Sequence, residues 1–451
     1  MNHRVQFPLG AADIPRAWYN IAADLPDLAP PRHPASGRAI TPDDLLAIVP
    51  EELARQELTL DREVEIPEPV RQLYARWRPS PLIRAHGLER SLGTPARIYY
   101  KYEGVSPTGS HKPNTAIAQA YYNKQAGITK LATETGAGQW GSSLALAGAL
   151  FDLDVSVYMV RLSFDQKPYR QMLMQTYGAR CVASPSTETE TGRAILARDP
   201  DSPGSLGIAS SEAVEVAAND PTTNYACGSV LNHVLLHQTV IGQEAIAQFA
   251  LADDYPDVVV GCAGGGSNLG GLAFPFLGEQ LRGGKPVHVI AAEPASCPSM
   301  TRGTLAYDFG DTAGFTPLLR MYTLGHGFIP PPLHAGGLRY HGMAPLVSEA
   351  VAQGLIDPVA VTQTACFAAG VRFARTEGIV PAPESTHAVE VAIREALRCR
   401  EEGIGRTILF GLSGHGHFDL SAYEDYLSGT LRDGEFDPGK MTAALAELPD
   451  V

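Results

Sequence analysis

The chain has 451 residues, 44% of them hydrophobic and 8% aromatic, enough for large cores and for two or three structural domains. With 49 acidic against 35 basic residues the formal charge is −14, which excludes a global attraction for nucleic acid or anionic membranes. The 6 cysteines stand at 181, 227, 262, 297, 366 and 399 without a CxxC pair, so neither a zinc cage nor a disulfide scaffold is expected.

The opening residues MNHRVQFPLG lack the apolar core of a signal peptide. The most apolar long stretch, 141–160, carries Asp152 and Asp154, which argues against a membrane span. A cytoplasmic protein is expected. Residues 1–77 are rich in proline and charge (DLAPPRHPASG, TPDDLLAIVPEELARQE, EIPEPV) and read as an extension packed on the core, with a short helix over 41–56. From about residue 96, β-type runs alternate with helical segments: RIYYKYE, a helix near 110–126, KLATE, a helix near 139–150, VSVYMV, a helix near 167–177 and RCVAS. The alternation resumes with DVVVGC, a helix near 267–281, VHVIAAE and RTILFGL. Strand–helix alternation with buried apolar strands predicts parallel sheets of the α/β class. Two such series, separated by less regular sequence at 184–235, predict two three-layer α/β domains.

Three strands run into glycine-rich turns, where open α/β sheets bind ligands. CAGGGSNLGG (262–271) is the clearest anion site. Glycines let the backbone approach a ligand closely, and Ser267 and Asn268 then open a helix whose free N–H groups favour a phosphate. The run lacks GK[ST] and is not a dinucleotide fingerprint, so the phosphate is not that of ATP or a dinucleotide. ETGAGQWG (134–141) is a second such turn, whose amides suit a carboxylate. Glu134 there is either a helix-start charge or, beside a ligand, an acid or base. SGHGHF (413–418) has an HxH spacing that is weak evidence for a metal without a third ligand; no metal site is assigned. Ser413 is better used facing a heterocycle nitrogen. GSHKPNTA (109–116) then sets one lysine among a phosphate cradle, a carboxylate cradle and a polar ring partner. Those parts fit pyridoxal phosphate, whose aldehyde needs a lysine.

GSHKPNTA, ETGAGQWG, AGGGSN, PAPESTHA and LSGHGH together resemble the motif series of the tryptophan synthase β chain, in the same order, across about residues 78–420. The extended N-terminus, the tryptophan after GAGQ and SGHGH resemble the second, β-chain-like class of that family. The resemblance implies a fold type II pyridoxal-phosphate enzyme. Its domains would be 111–236 and a phosphate-binding domain 237–451, with 78–110 crossing over to join the latter. It implies that Lys112 carries the cofactor as a Schiff base and moves protons at the substrate's α-carbon, with His111 and Asn114 beside it. Gly264, Gly265, Gly266, Ser267 and Asn268 would hold the phosphate, Ser413 the pyridine nitrogen, and Glu384 would lie near the ring. Thr135, Gly136, Ala137, Gly138 and Gln139 would hold the amino acid carboxylate, and Glu134 would assist elimination and attack. The implied reaction is β-replacement: L-serine loses its α-proton and β-hydroxyl, and indole C3 adds, giving L-tryptophan. A monovalent cation is an optional addition, and a homodimer is the implied assembly.

Three departures qualify the resemblance. Trp140 stands where the mainstream β chain has histidine, and SGHGH replaces SGRGD. In GGLRYHGMAP (336–345), Arg339 falls where the mainstream places an aspartate near the substrate hydroxyl. A cation there suits a phosphate ester, so O-phospho-L-serine is the alternative amino acid. A serine or threonine dehydratase is a further alternative, and a silent binding or assembly relative is the non-enzymatic one. The extension and the altered indole neighbourhood lead to the expectation of an enzyme that salvages free indole without an α subunit.

Overall fold

The computed structural model describes residues 4–450. A six-stranded sheet runs in the order Ile356–Val361, His288–Pro294, Val258–Cys262, Thr407–Leu412, Arg97–Tyr102, Leu82–Arg84. All its neighbours are parallel except Leu82–Arg84, which pairs antiparallel with Arg97–Tyr102. Val258–Cys262 and Thr407–Leu412 are buried along their whole length, as central parallel strands covered on both faces must be. A second, four-stranded parallel sheet has the order Arg180–Ser184, Asp154–Val160, Lys130–Thr135, Thr223–Tyr225. The strands Leu82–Arg84 and Arg97–Tyr102 thus belong to the larger sheet, and those between 130 and 225 to the smaller.

The segment read as less regular, 184–235, is ordered. It contains helices Glu190–Arg198 and Leu206–Asn219 and the strand Thr223–Tyr225, which completes the smaller sheet. The second helix buries Gly207, Ala209, Ser210, Ser211 and Ala213, small residues that leave little apolar period to read, and the strand is 3 residues long. An antiparallel hairpin, Thr304–Phe309 with Leu318–Thr323, stands apart from both sheets.

The extension packs on the core through Trp18, Leu53, Val70 and Tyr74, all fully buried. Its strand Ala17–Tyr19 pairs with Glu63–Glu65. The helix expected over 41–56 is divided into a 3-10 turn, Pro42–Leu45, and a helix, Glu51–Leu58. Pro50 is the cause: it is itself extended as the N-cap of the second helix, and a proline disfavours helical backbone at the residue before it.

Both sheets build the same junction at the end of a central strand. Lys130–Thr135 leads through Gly138 (φ 100°) into helix Gln139–Phe151, and Val258–Cys262 leads through Gly266 (φ 97°) into helix Ser267–Leu281. Only glycine holds that conformation without strain. Each turn aims the unpaired N–H groups of a helix start at the cleft between the sheets.

Candidate active site

Lys112 directly precedes helix Pro113–Gln125, with Pro113 at the first helical position where a missing N–H is harmless. Its side chain enters a cavity of about 770 Å³ lined by Glu134, Thr135, Gly136, Ala137, Gln139, Gly264, Gly265, Gly266, Ser267, Asn268, Glu384 and Ser413, among others. Lys112 Nζ donates to the Gly228 carbonyl and, at 3.2 Å, to Ser267 Oγ. His111 lies behind it: its backbone N–H donates to the Ser413 carbonyl at 3.0 Å, and its Nε2 is 3.4 Å from Ser267 Oγ. Ser413 Oγ is 2.8 Å from Ser385 Oγ, which fixes the hydroxyl at the strand end. Glu384 accepts from Gly337 N at 2.9 Å and from Gln139 Nε2 at 3.0 Å, so it ties the carboxylate-type turn to the opposite wall.

The electrostatics of this cleft are set by dehydration. Burial pulls the Lys112 ammonium down to about 8, which places a neutral amine within reach of physiological pH. Burial, reinforced by the Lys112 charge, pushes His111 down to about 3, so its imidazole is neutral. Glu134 is 3% exposed, and its Oε2 has no hydrogen-bond partner. Burial raises its carboxyl to about 7, a value suited to giving a proton and taking one back.

The glycine run makes a cradle that side chains would fill. A Cβ on Gly264 would lie 2.6 Å from the Gly337 carbonyl oxygen, and one on Gly265 2.6 Å from Ser229 Oγ. These glycines and the first residues of helix Ser267–Leu281 line the cavity, which puts a helix start beside it, the arrangement a phosphate needs. With an amine on one side, a hydroxyl at the far end and a phosphate-type cradle between, the residues fit pyridoxal phosphate.

Three expected residues do not line this cavity. Asn114 is two positions beyond Lys112, about 200° round the helix, and points into a buried network. Its Oδ1 accepts from Arg78 NH1 at 2.9 Å, and its Nδ2 donates to Glu103 at 3.2 Å and Gln238 at 3.0 Å. Gly138 is in the turn behind the wall, where a Cβ would meet Arg170 Cβ at 2.8 Å. Arg339 turns away although Gly337 and Leu338 before it line the cavity. Its guanidinium donates to the Pro331 carbonyl at 3.0 Å and the Pro330 carbonyl at 2.7 Å, and the residue is 5% exposed. A proline run offers carbonyl acceptors without competing N–H donors, so it captures a buried guanidinium. The HxH pair is a ring stack, His415 on His417 at 4.4 Å, and His415 walls the cavity.

Other contributors, Gly228 and Ser229 among them, were not singled out from sequence. Gly228 and Ser229 follow the short strand Thr223–Tyr225, and the strand–glycine pattern of TNYACGS is the signal that marks them. Trp140 forms part of the wall; its Nε1 donates to Thr133 Oγ1 at 2.6 Å, and its ring covers Gly228, where a Cβ would come within 2.3 Å. A second chamber of about 760 Å³ adjoins the first and shares Glu134, Leu206 and Ser229 with it. Its other walls are largely apolar: Leu45, Ile48, Val49 and Leu53 from the extension, Val230 and Leu231, and Leu319 and Tyr340. Glu134 is thus a titratable group at the junction of the lysine cavity and an apolar compartment.

The family model described as "Pyridoxal-phosphate dependent enzyme" matches residues 74–414. The chain is 58% identical over 420 residues to "Tryptophan synthase beta chain 2" of Methanosarcina acetivorans, covering 93% of this chain and 95% of that protein. It is 58% identical over 421 residues to "Tryptophan synthase beta chain 2" of Thermotoga maritima, covering 93% and 100%. Against "Tryptophan synthase beta chain" of Thermococcus gammatolerans the identity is 57% over 426 residues, covering 94% and 97%. Among solved structures, a fungal L-serine ammonia-lyase from Rhizomucor miehei superposes with a TM-score of 0.57 over 78% of this chain and 98% of that one; at 16% identity this shows the fold alone. The shared fold, the cradle beside Lys112 and identities of this size over nearly the whole chain have one reading: the protein belongs to the tryptophan synthase beta chain family of pyridoxal-phosphate dependent enzymes.

Proposed function

We propose that this protein joins L-serine and indole into L-tryptophan by β-replacement, working as a homodimer on free indole without a stable α-subunit complex. The observation that carries the chemistry is the position of Glu134, between the cavity that holds Lys112 and an apolar chamber that suits an aromatic second substrate. Bound in the first cavity, pyridoxal phosphate supplies an electron sink that acidifies the α-carbon of the amino acid. Lys112 Nζ, held near its neutral form by burial, takes the α-proton. The turn of Thr135, Gly136 and Ala137 holds the carboxylate with its backbone amides, and Gln139, anchored by Glu384, closes that side. Glu134 in its acid form gives a proton to the departing hydroxyl; as carboxylate it then takes the proton that indole releases when C3 bonds to the β-carbon. Ser413, oriented by Ser385, offers the ring nitrogen a neutral hydroxyl, which keeps that nitrogen largely unprotonated and favours elimination over transamination. The apolar walls around Val49, Leu53 and Leu319 keep water from competing with indole.

L-serine is the better supported amino acid. The phosphoserine alternative rested on Arg339, whose guanidinium is held by two proline carbonyls outside the cavity. The deciding assay is indole consumption with L-serine and with O-phospho-L-serine side by side. Faster consumption with phosphoserine would reverse the assignment, and pyruvate release without indole consumption would make the protein a dehydratase. Size exclusion of the protein alone and mixed with an α subunit tests the assembly; a stable mixed complex overturns that part. No helix among the described residues is long and apolar enough to cross a membrane.

A further inference from the structure

A buried carboxyl that gives and takes a proton needs a partner for its charged form, and the groups around Glu134 differ in whether they are free to be that partner. On the lysine side, Lys112 Nζ donates to the Gly228 carbonyl and to Ser267 Oγ, and His111 is neutral. Glu384 there already accepts from Gly337 N and Gln139 Nε2. On the apolar side, the Tyr340 hydroxyl donates to the Gly310 carbonyl at 2.7 Å. Glu57 accepts from Asn232 N and His233 N, both at 3.0 Å, and lies 2.7 Å from His233 Nδ1. Cys227 Sγ is 3.9 Å from the Ser229 carbonyl oxygen, and burial pushes its thiol up to about 12. Tyr225 is left.

Sheet register puts Tyr225 beside Glu134. The strand Thr223–Tyr225 runs parallel to Lys130–Thr135 with Tyr225 opposite Ala132. Residues two apart in a strand share a face, so Ala132, Glu134 and the Tyr225 ring project from one side of the sheet. Strand spacing and rise place the Tyr225 and Glu134 Cα atoms about 8 Å apart, a gap their two side chains span, and Ala132 leaves room for the ring. Tyr225 N donates to the Ile48 carbonyl at 2.8 Å and Ala226 N to the Ala132 carbonyl at 3.0 Å, which pins the strand end. Ser210, from helix Leu206–Asn219, lines the same chamber, and its hydroxyl bonds to the phenol. Against the burial that raises the Glu134 carboxyl, the Tyr225 hydroxyl is first among the groups that draw it down. Burial holds the phenol's own proton well above its usual range, so Tyr225 gives a hydrogen bond and keeps its proton.

We propose that Tyr225 is the positioning residue of Glu134: its O–H turns onto the carboxylate once Glu134 has given up its proton, and turns away when the proton returns. An unpaired carboxylate facing an apolar chamber is costly, and a neutral donor on the neighbouring strand lowers that cost without bringing in a charge. Ser210 steadies the phenol oxygen, so the hydroxyl proton is free for Glu134. The inference rests on the β-replacement reading, which makes Glu134 the acid and then the base.

Tyr225→Phe keeps the ring and deletes the hydroxyl. In the holoenzyme the Glu134 carboxyl is titrated through its infrared C=O band, assigned by its loss in Glu134→Gln. The midpoint is expected to rise by about one pH unit in Tyr225→Phe, the equivalent of one hydrogen bond to a charged group. The low-pH limb of kcat/KM for indole, which needs the carboxylate, should move up by the same interval. Below it indole addition becomes about tenfold slower, and at higher pH the rate returns to that of wild type. Ser210→Ala should move the band in the same direction by less. An unmoved midpoint in Tyr225→Phe would overturn the proposal, as would a loss of rate equal at every pH, the mark of a merely structural role. If the wild-type protein consumes no indole at all, the β-replacement reading falls, while a raised band midpoint in Tyr225→Phe still supports the pairing of Tyr225 with Glu134.

Discussion

Replacing Glu134 with glutamine keeps the shape of the side chain and removes its ionisation, and the structure gives opposite signs for the effects on stability and activity. Burial raises the carboxyl from 4.5 to about 7, so the folded protein binds a proton that the unfolded chain has already released across that interval. Stability associated with Glu134 is therefore undiminished below about pH 4.5 and declines as pH rises through about 7. At 1.36 kcal/mol per pKa unit the full penalty is about 3 kcal/mol, of which about 2.5 kcal/mol develops between about pH 5 and about pH 8. Glu134→Gln removes this term, so in cofactor-free protein the variant should gain stability relative to wild type by about 2.5 kcal/mol over that interval. Comparing urea unfolding of the two proteins at both pH values cancels whatever the buried amide costs at either one. Turnover should move the other way, falling about 10²–10⁴-fold as expected when a general acid–base is lost, while serine and cofactor still bind. A stability difference that does not change with pH, or tryptophan synthesis near the wild-type rate, would remove Glu134 from the acid–base chemistry.

Lys112→Ala should lose the visible absorbance that borohydride fixes covalently in the wild-type holoenzyme; cofactor still trapped in the variant would place it on another lysine. Gly264→Ala sets a Cβ 2.6 Å from the Gly337 carbonyl and 2.7 Å from Leu338 Cα. Overpacking against backbone costs about 1–3 kcal/mol, so equilibrium titration should show cofactor affinity reduced by about ten- to a hundredfold; unchanged affinity would remove the phosphate from this cradle. Arg339→Ala deletes two charge-assisted hydrogen bonds worth about 1.5–3 kcal/mol each. It should lower the unfolding midpoint and affect serine and phosphoserine use equally, and a selective loss of phosphoserine use would restore Arg339 to the substrate. Arg78→Met removes the ion-pair partner of buried Glu103 and leaves buried Glu244 with Lys101 alone. It should destabilise the protein by about 3–5 kcal/mol, and a wild-type urea midpoint would contradict that account of the network.

The residues that carry chemistry were legible because they are local. A buried strand running into glycine and then a helix is a pattern of a few consecutive residues, and it marked both the 134–141 and the 262–271 turns. The same pattern at TNYACGS went unread because its strand is 3 residues long and sits in a stretch whose buried helix face is built of glycine, alanine and serine. Pro50 shows the reverse case, in which a local signal was present and the apolar pattern on either side of it suggested one helix rather than two elements.

By itself the sequence determined the order of strands, turns and motifs, the single lysine among them, and through these the family and its cofactor chemistry. Each is a property of neighbouring residues, and backbone sterics act over that range. Only the tertiary structure decided which way the adjacent side chains face. Asn114 turns to Arg78 because the helix rotates about 100° per residue, and Arg339 turns to Pro330 and Pro331 because a loop folds acceptors over it. The apolar chamber likewise exists only in three dimensions. Its walls come from the extension, the smaller domain and the segment 310–340, and no pattern along the chain records that Ile48 and Tyr225 are joined. Packing between distant segments made that compartment, and with it the apolar face that Glu134 presents to a second substrate.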